Sequence, residues 1–141
     1  MPMLVHSDEG SALHTIQTTL RITFGIVPIV AGLDKYANIL TNWEQYLNPV
    51  TLRILPLSAL TFMHLVGVVE VIAGALVLMK PRIGAFVVMA LLIAIALQLL
   101  VGWMFVDIAV RDLVMSIGAL TLGRLTPIAD HVSSEVGTAR S

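Results

Sequence analysis

The chain has 141 residues, of which 57% are hydrophobic and 12% charged, with a net charge of −1 and a mean hydropathy of +0.94. A soluble domain averages about a quarter charged residues, so this composition takes lipid as its solvent and offers no basic surface to nucleic acid. There is no cysteine, which excludes disulfides, thiolate metal sites and CxxC redox chemistry within the chain.

Residues 1–14 read as a polar tail without the basic region of a signal peptide. A membrane domain is expected over 15–125 and a second polar tail over 126–141. The first span runs from about Thr15 to Leu33 and carries Arg21. Arg21, Gly25, Pro28, Gly32 and Lys35 fall on one side of that helix. Such a stripe suits close approach of a neighbouring helix, and Pro28 predicts a kink.

Asp34–Pro56 is the longest connection. Tyr36, Leu40, Trp43 and Leu47 recur at helical spacing with polar residues between them. The pattern predicts a short amphipathic helix at the headgroup level, ended by Asn48-Pro49, with Tyr36, Trp43 and Tyr46 as interfacial anchors. The second span, Ser58–Met79, carries His64 and Glu70. A tight Lys80-Pro81-Arg82 turn follows, then a third span over Ile83–Val106 whose one strongly polar side chain is Gln98. Asp107–Asp112 reads as another tight connection. The fourth span, about Ala109–Leu125, is stopped by Thr126-Pro127. The expected fold is all-α: four transmembrane helices in an up-down bundle, with a short interfacial helix between the first two.

Four spans put both termini and the Lys80 turn on one side, with Lys80, Arg82, Arg124, Arg140 and Arg21 against Lys35, Arg53 and Arg111 on the other. That bias places both termini in the cytoplasm, most simply of a bacterial inner membrane.

Buried charge in a bilayer must be paired, neutral or wet. A rise of about 1.5 Å per residue over spans of Ile16–Asp34 and Ser58–Met79 puts Arg21 roughly 8 Å and Glu70 roughly 14 Å from the cytoplasmic end. The two are expected to pair, either as a structural ion pair that fixes register or around a carboxyl that carries a proton or holds a ligand. His64 and Gln98 both come out roughly 22 Å up and are expected to form a polar layer near the midplane. Asp34, Lys35, Asp107, Arg111 and Asp112 gather at the outer end. There Asp107 and Arg111 suit an i,i+4 pair, and Arg111, Met115, Gly118 and Leu122 form the inward stripe of the fourth span. A single membrane histidine cannot make a bis-His haem site, no metal-ligand set occurs, and the sequence requires no cofactor. HExxH, GxSxG, Walker and dinucleotide motifs are all absent, so no intrinsic catalytic activity is expected.

Several segments together carry a likeness: Arg21 opening the first span, AGLDKYANILTNWEQYL at its far end, VVEVIAGALVLM in the second span and RDLVMSIGALTLGRL in the fourth. On these the chain resembles the DoxX-like family of small four-helix membrane proteins, over about residues 17–125. The resemblance implies an accessory membrane subunit of a quinone-linked redox or respiratory assembly, with other membrane subunits or further copies of the chain as partners. The residues themselves leave a second function open: a binder or conduit for a small lipophilic or polar molecule, using a midplane site of Arg21, Glu70 and His64.

Overall fold

The computed structural model describes residues 2–139, with side chains from residue 8 onward; Arg140 of the charge bias lies outside the described residues. These are helical, with no strand among them: α1 (Pro2–Ala37), a 3-10 turn (Trp43–Tyr46), α2 (Pro49–Ile54), α3 (Ala59–Met79), α4 (Pro81–Val101) and α5 (Val106–Thr138). Three helices are long and apolar enough to cross a membrane: α1 over Asp8–Ala37, α3 and α4. The chain is therefore an integral membrane protein. Its packing agrees: Val27, Leu33, Ile72, Leu97 and Ile117 lie at least half exposed, whereas Ala73, Ala85, Ala96, Ala109 and Ala119 are fully buried. Large apolar side chains outside and small ones between helices is the arrangement lipid permits and water does not.

The four long helices close a ring, α1 packing on α3 and α5, and α4 on the same two. The tightest seam is α1 against α3. Gly32 lies on Gly67 and Gly25 on Gly74, so residue numbers fall on one helix as they rise on the other. A Cβ added to Gly32 would sit 2.5 Å from the Gly67 carbonyl oxygen, and one added to Gly67 would sit 2.6 Å from that of Gly32. The stripe read from the sequence is thus a backbone-to-backbone contact that only glycine allows.

Several boundaries differ from expectation. The expected tails are helical, with α1 starting at Pro2 and α5 running on through Pro127 to Thr138. The two ends support each other: Gln17 Nε2 donates to Thr126 Oγ1 at 3.4 Å, and Gly10 lies against Val132. Tertiary contact of this kind sustains a helix that local sequence would end. The helix α1 likewise runs through Pro28 without interruption.

The third span stops at Val101 rather than Val106. The reversal is made by Gly102–Phe105, with Trp103 and Phe105 both at positive φ, and Asp107–Asp112 are helical. The sequence does not mark this corner because it carries no charged or strongly polar side chain. The α3–α4 connection is Lys80 alone, with Pro81 at the first helical position, where its missing N–H costs nothing.

Of the segment expected as a flat interfacial helix over 36–48, Tyr36 and Ala37 end α1 and the rest is a folded-back loop holding the 3-10 turn. Asn38 turns the chain at φ 51°, and the Asp34 carboxylate accepts from the Ile39 and Leu40 amides and, at 2.7 Å, from Trp43 Nε1. Asn48-Pro49 begins a helix instead of ending one. The Asn48 side chain accepts from the Val50 amide and Pro49 takes the first position of α2, which is the preferred chemistry of a helix start.

Candidate functional site

Toward the Lys80 turn the bundle is filled. Ala73, Val77, Ala85, Val88, Ala119 and Leu122 form one buried cluster, with Leu20 and Phe24 packed on it. Toward the opposite end, where the 38–58 connection lies, the helices part around a cavity of about 530 Å³. Val27, Ala31, Met63, Val66, Leu92 and Ile95 give it an apolar wall, and Trp43, Tyr46 and Leu47 line it from the connection. Lys35, Glu70, Gln98, Arg111 and Asp112 are its strongly polar lining.

Glu70 stands in mid-helix on α3 and is 6% exposed. Its partner is Lys35: Nζ lies 2.6 Å from Glu70 Oε2, with both side chains almost wholly buried. No other group hydrogen-bonds that oxygen among the described residues. The same ammonium lies 3.7 Å from the centroid of the Trp43 ring, a cation–π contact that covers its far side. The expected Arg21–Glu70 pair does not form. Arg21 donates through Nε, at 3.0 Å, and through a terminal guanidinium nitrogen to the Leu78 carbonyl. The glycine seam gives the reason. It sets Arg21 opposite Leu78, eight residues beyond Glu70 on α3, a rise of about 12 Å. Lys35 approaches Glu70 from the other side, along the stripe that carries Gly32.

His64 and Gln98 do not meet. The His64 ring stacks on Tyr36 with centroids 4.4 Å apart and planes 10° apart, while Tyr36 Oη donates to the His64 carbonyl at 2.9 Å. Tyr36 thus ties α1 to α3, half exposed, rather than serving only as an anchor. Gln98 holds the connection to α4. It accepts from the Asn48 amide at 3.1 Å, donates to the Tyr46 carbonyl at 2.7 Å, and its own carbonyl accepts from Asn48 Nδ2. Asn48 is 1% exposed, and a Cβ on Gly102 would collide with it at 2.8 Å. Tyr46 packs on Phe105 with ring centroids 4.7 Å apart. Trp43 and Tyr46 are therefore built into the cover of the cavity.

The expected outer charge cluster divides. Asp34 serves the loop, and Lys35 points inward to Glu70. Asp107 and Arg111 are exposed and make no ion pair with each other among the described residues. The inward stripe of α5 is Asp112, Ser116, Ala119, Leu122 and Gly123: Leu122 lies inward as expected, while Arg111, Met115 and Gly118 give way to the residues one position on. Asp112, 7% exposed, thereby joins the cavity. Three residues that matter here carried weaker signals in the sequence. Lys35 lay on the glycine stripe, Asn48 preceded a proline, and Asp112 sat among other charges. No three or more His, Asp or Glu side chains among the described residues are grouped to hold a metal ion. No protein-family model, curated protein or solved structure matches the chain.

Proposed function

We propose that the chain crosses the membrane four times as an up-down bundle and binds a small, largely apolar molecule bearing one polar group. The cavity carries this reading. Membrane helices rich in Ala and Gly can close on one another, as they do at the Lys80 end, yet at the other end they leave about 530 Å³ beside Lys35, Glu70 and Asp112. Small-molecule sites occupy about 300–1,000 Å³ and combine apolar walls with a few converging polar groups. The fourth crossing is supported by α5 itself, whose Val110, Val114 and Ile117 are each more than half exposed and suit contact with lipid. The basic bias toward the Lys80 end supports cytoplasmic termini, and a bacterial inner membrane remains the simplest setting. The DoxX-like likeness of residues 17–125 supports a second reading, an accessory subunit of a quinone-linked redox assembly. Isolation in mild detergent with its neighbours retained tests that one, and a fully functional chain without partners ends it.

The binding reading is tested by native mass spectrometry of the full chain with N-phenyl-1-naphthylamine, a neutral lipophilic probe. A stoichiometric adduct is expected, lost on filling the cavity with Ala31→Phe. A chain that carries no small molecule from the membrane and takes up no probe overturns the proposal.

A further inference from the structure

The charged lining of the cavity is held to one side. Lys35, Arg111 and Asp112 come from α1 and α5, and Glu70 on α3 is engaged with Lys35. The opposite wall is apolar, with Phe62 and Val66 on α3 and Leu91 and Ala94 on α4. Both ends of the cavity are shut, one by the filled half of the bundle and the other by Trp43, Tyr46 and Leu47. Two of its sides are shut as well. Gly32 on Gly67 closes α1 against α3, and Ala96, Leu99 and Ala109 close α4 against α5. Two flanks remain. The one between α1 and α5 carries the charged side chains. The other lies between α3 and α4, which meet beside the Lys80 turn, where Gly84 lies on Val77. Further along that flank Ala94 both lines the cavity and is exposed. It is two positions from Ala96, hence about 200° round α4 from the face that meets α5. A single small side chain in this double position makes the thinnest part of the wall. Ala94 stands seven residues before the end of α4 at Val101, about 10 Å along the axis. Beyond Arg82, α4 carries no charged side chain, so this flank lies at hydrocarbon depth.

We infer that the cavity is filled sideways from the bilayer, between α3 and α4 at Ala94, so that its ligand is an amphiphile dissolved in the membrane rather than a solute taken from water. This rests on the cavity being a binding site. The bound molecule keeps its apolar part against Phe62, Val66 and Leu91 and turns its polar group to the wall of α1 and α5. Either sign of charge, or none, suits that arrangement. Entry from the hydrocarbon also leaves the Lys35–Glu70 pair and the Gln98 bonds of the cover intact.

The test is carbene labelling of the full chain in phosphatidylcholine vesicles, read residue by residue by mass spectrometry. One precursor, 3-trifluoromethyl-3-(m-iodophenyl)diazirine, dissolves in the hydrocarbon; the other, photo-leucine, stays in water. Met63 reports the interior, since it lines the cavity and is 7% exposed, and Leu97, 54% exposed, reports the lipid face. The aryl diazirine is expected to label both residues and photo-leucine neither. Ala94→Phe should abolish labelling of Met63 and spare that of Leu97, with Ala94→Leu giving a partial loss. Val27→Phe, on the opposite flank, should change neither. Met63 left unlabelled by the aryl diazirine while Leu97 is labelled, or labelled by photo-leucine, overturns entry from the bilayer. Labelling of Met63 that survives both Ala94 variants, or is lost in Val27→Phe, overturns the route between α3 and α4. If Met63 stays unlabelled while N-phenyl-1-naphthylamine still forms its adduct, the route fails and the cavity reading stands; if the adduct is missing too, both fail.

Discussion

Toward the Lys80 turn, Ala73, Val77, Ala85, Val88, Ala119 and Leu122 fill the space between the helices; toward the 38–58 connection the same helices part around a cavity lined by Lys35, Glu70, Arg111 and Asp112. The difference is one of side-chain chemistry. At the filled end small apolar residues let the backbones close, and dispersion does the work that hydrophobic transfer cannot do in lipid. At the hollow end Ala96, Leu99 and Ala109 still pack together, but ionised and amide side chains share the interior, and Lys35, Glu70, Asn48 and Gln98 each bond to another polar group. Cohesion there is directional. It runs through Lys35–Glu70, Trp43–Asp34 and the Asn48–Gln98 bonds, and it leaves room that close packing would have removed.

Breaking the hollow end should cost most at its charge pair. Lys35→Ala leaves Glu70 buried without its partner and should destabilise the protein by about 3–5 kcal/mol, whereas Lys35→Leu combined with Glu70→Leu should be close to neutral. Thermal unfolding of both in the same detergent checks the contrast. Gln98→Leu comes next. It strands the buried Asn48 amide and the Tyr46 carbonyl and should cost about 1–3 kcal/mol, with faster proteolysis within 41–55 as a second readout. Gly32→Ala places a methyl against the Gly67 carbonyl. It should cost about 1–3 kcal/mol by overpacking, measurable as a lower melting temperature with probe binding retained until the seam opens. Arg21→Leu should have the smallest effect, about 1 kcal/mol, since Arg21 is partly exposed and gives up only its bonds to the Leu78 carbonyl. A large loss there would mean that the filled end also depends on a polar contact, and the contrast between the halves would fail.

The helices were legible because long apolar runs and their periodicity survive any tertiary arrangement. The pairing across them was less so. Depth counted from expected span ends placed Arg21 near Glu70, but the end of α3 aligns with Arg21 and not with the start of α1. The offset of several residues was enough to exchange one cation for another. Lys35 lies on the glycine stripe, the face that meets α3. The corner at Trp103 and Phe105 was invisible for a different reason, since two left-handed residues in an apolar run leave no mark on composition. Asn48-Pro49 reads as punctuation in the sequence, but the same dipeptide closes one element or opens the next, and the Gln98 bonds that favour opening lie fifty residues away.

The two glycine contacts between α1 and α3 bear on how the protein can move. Gly25 and Gly32 are spaced seven residues apart, as are Gly67 and Gly74, so the helices mesh like a key with two teeth. Sliding α1 by seven residues, about 10 Å, would seat Gly32 against Gly74 but leave Gly25 and Gly67 against larger neighbours. The same slide would carry Lys35 away from Glu70. The seam therefore has a single seated position and resists translation along its length. The spacing of four glycines thus holds Lys35 beside Glu70, on the two helices that carry the cavity's ion pair.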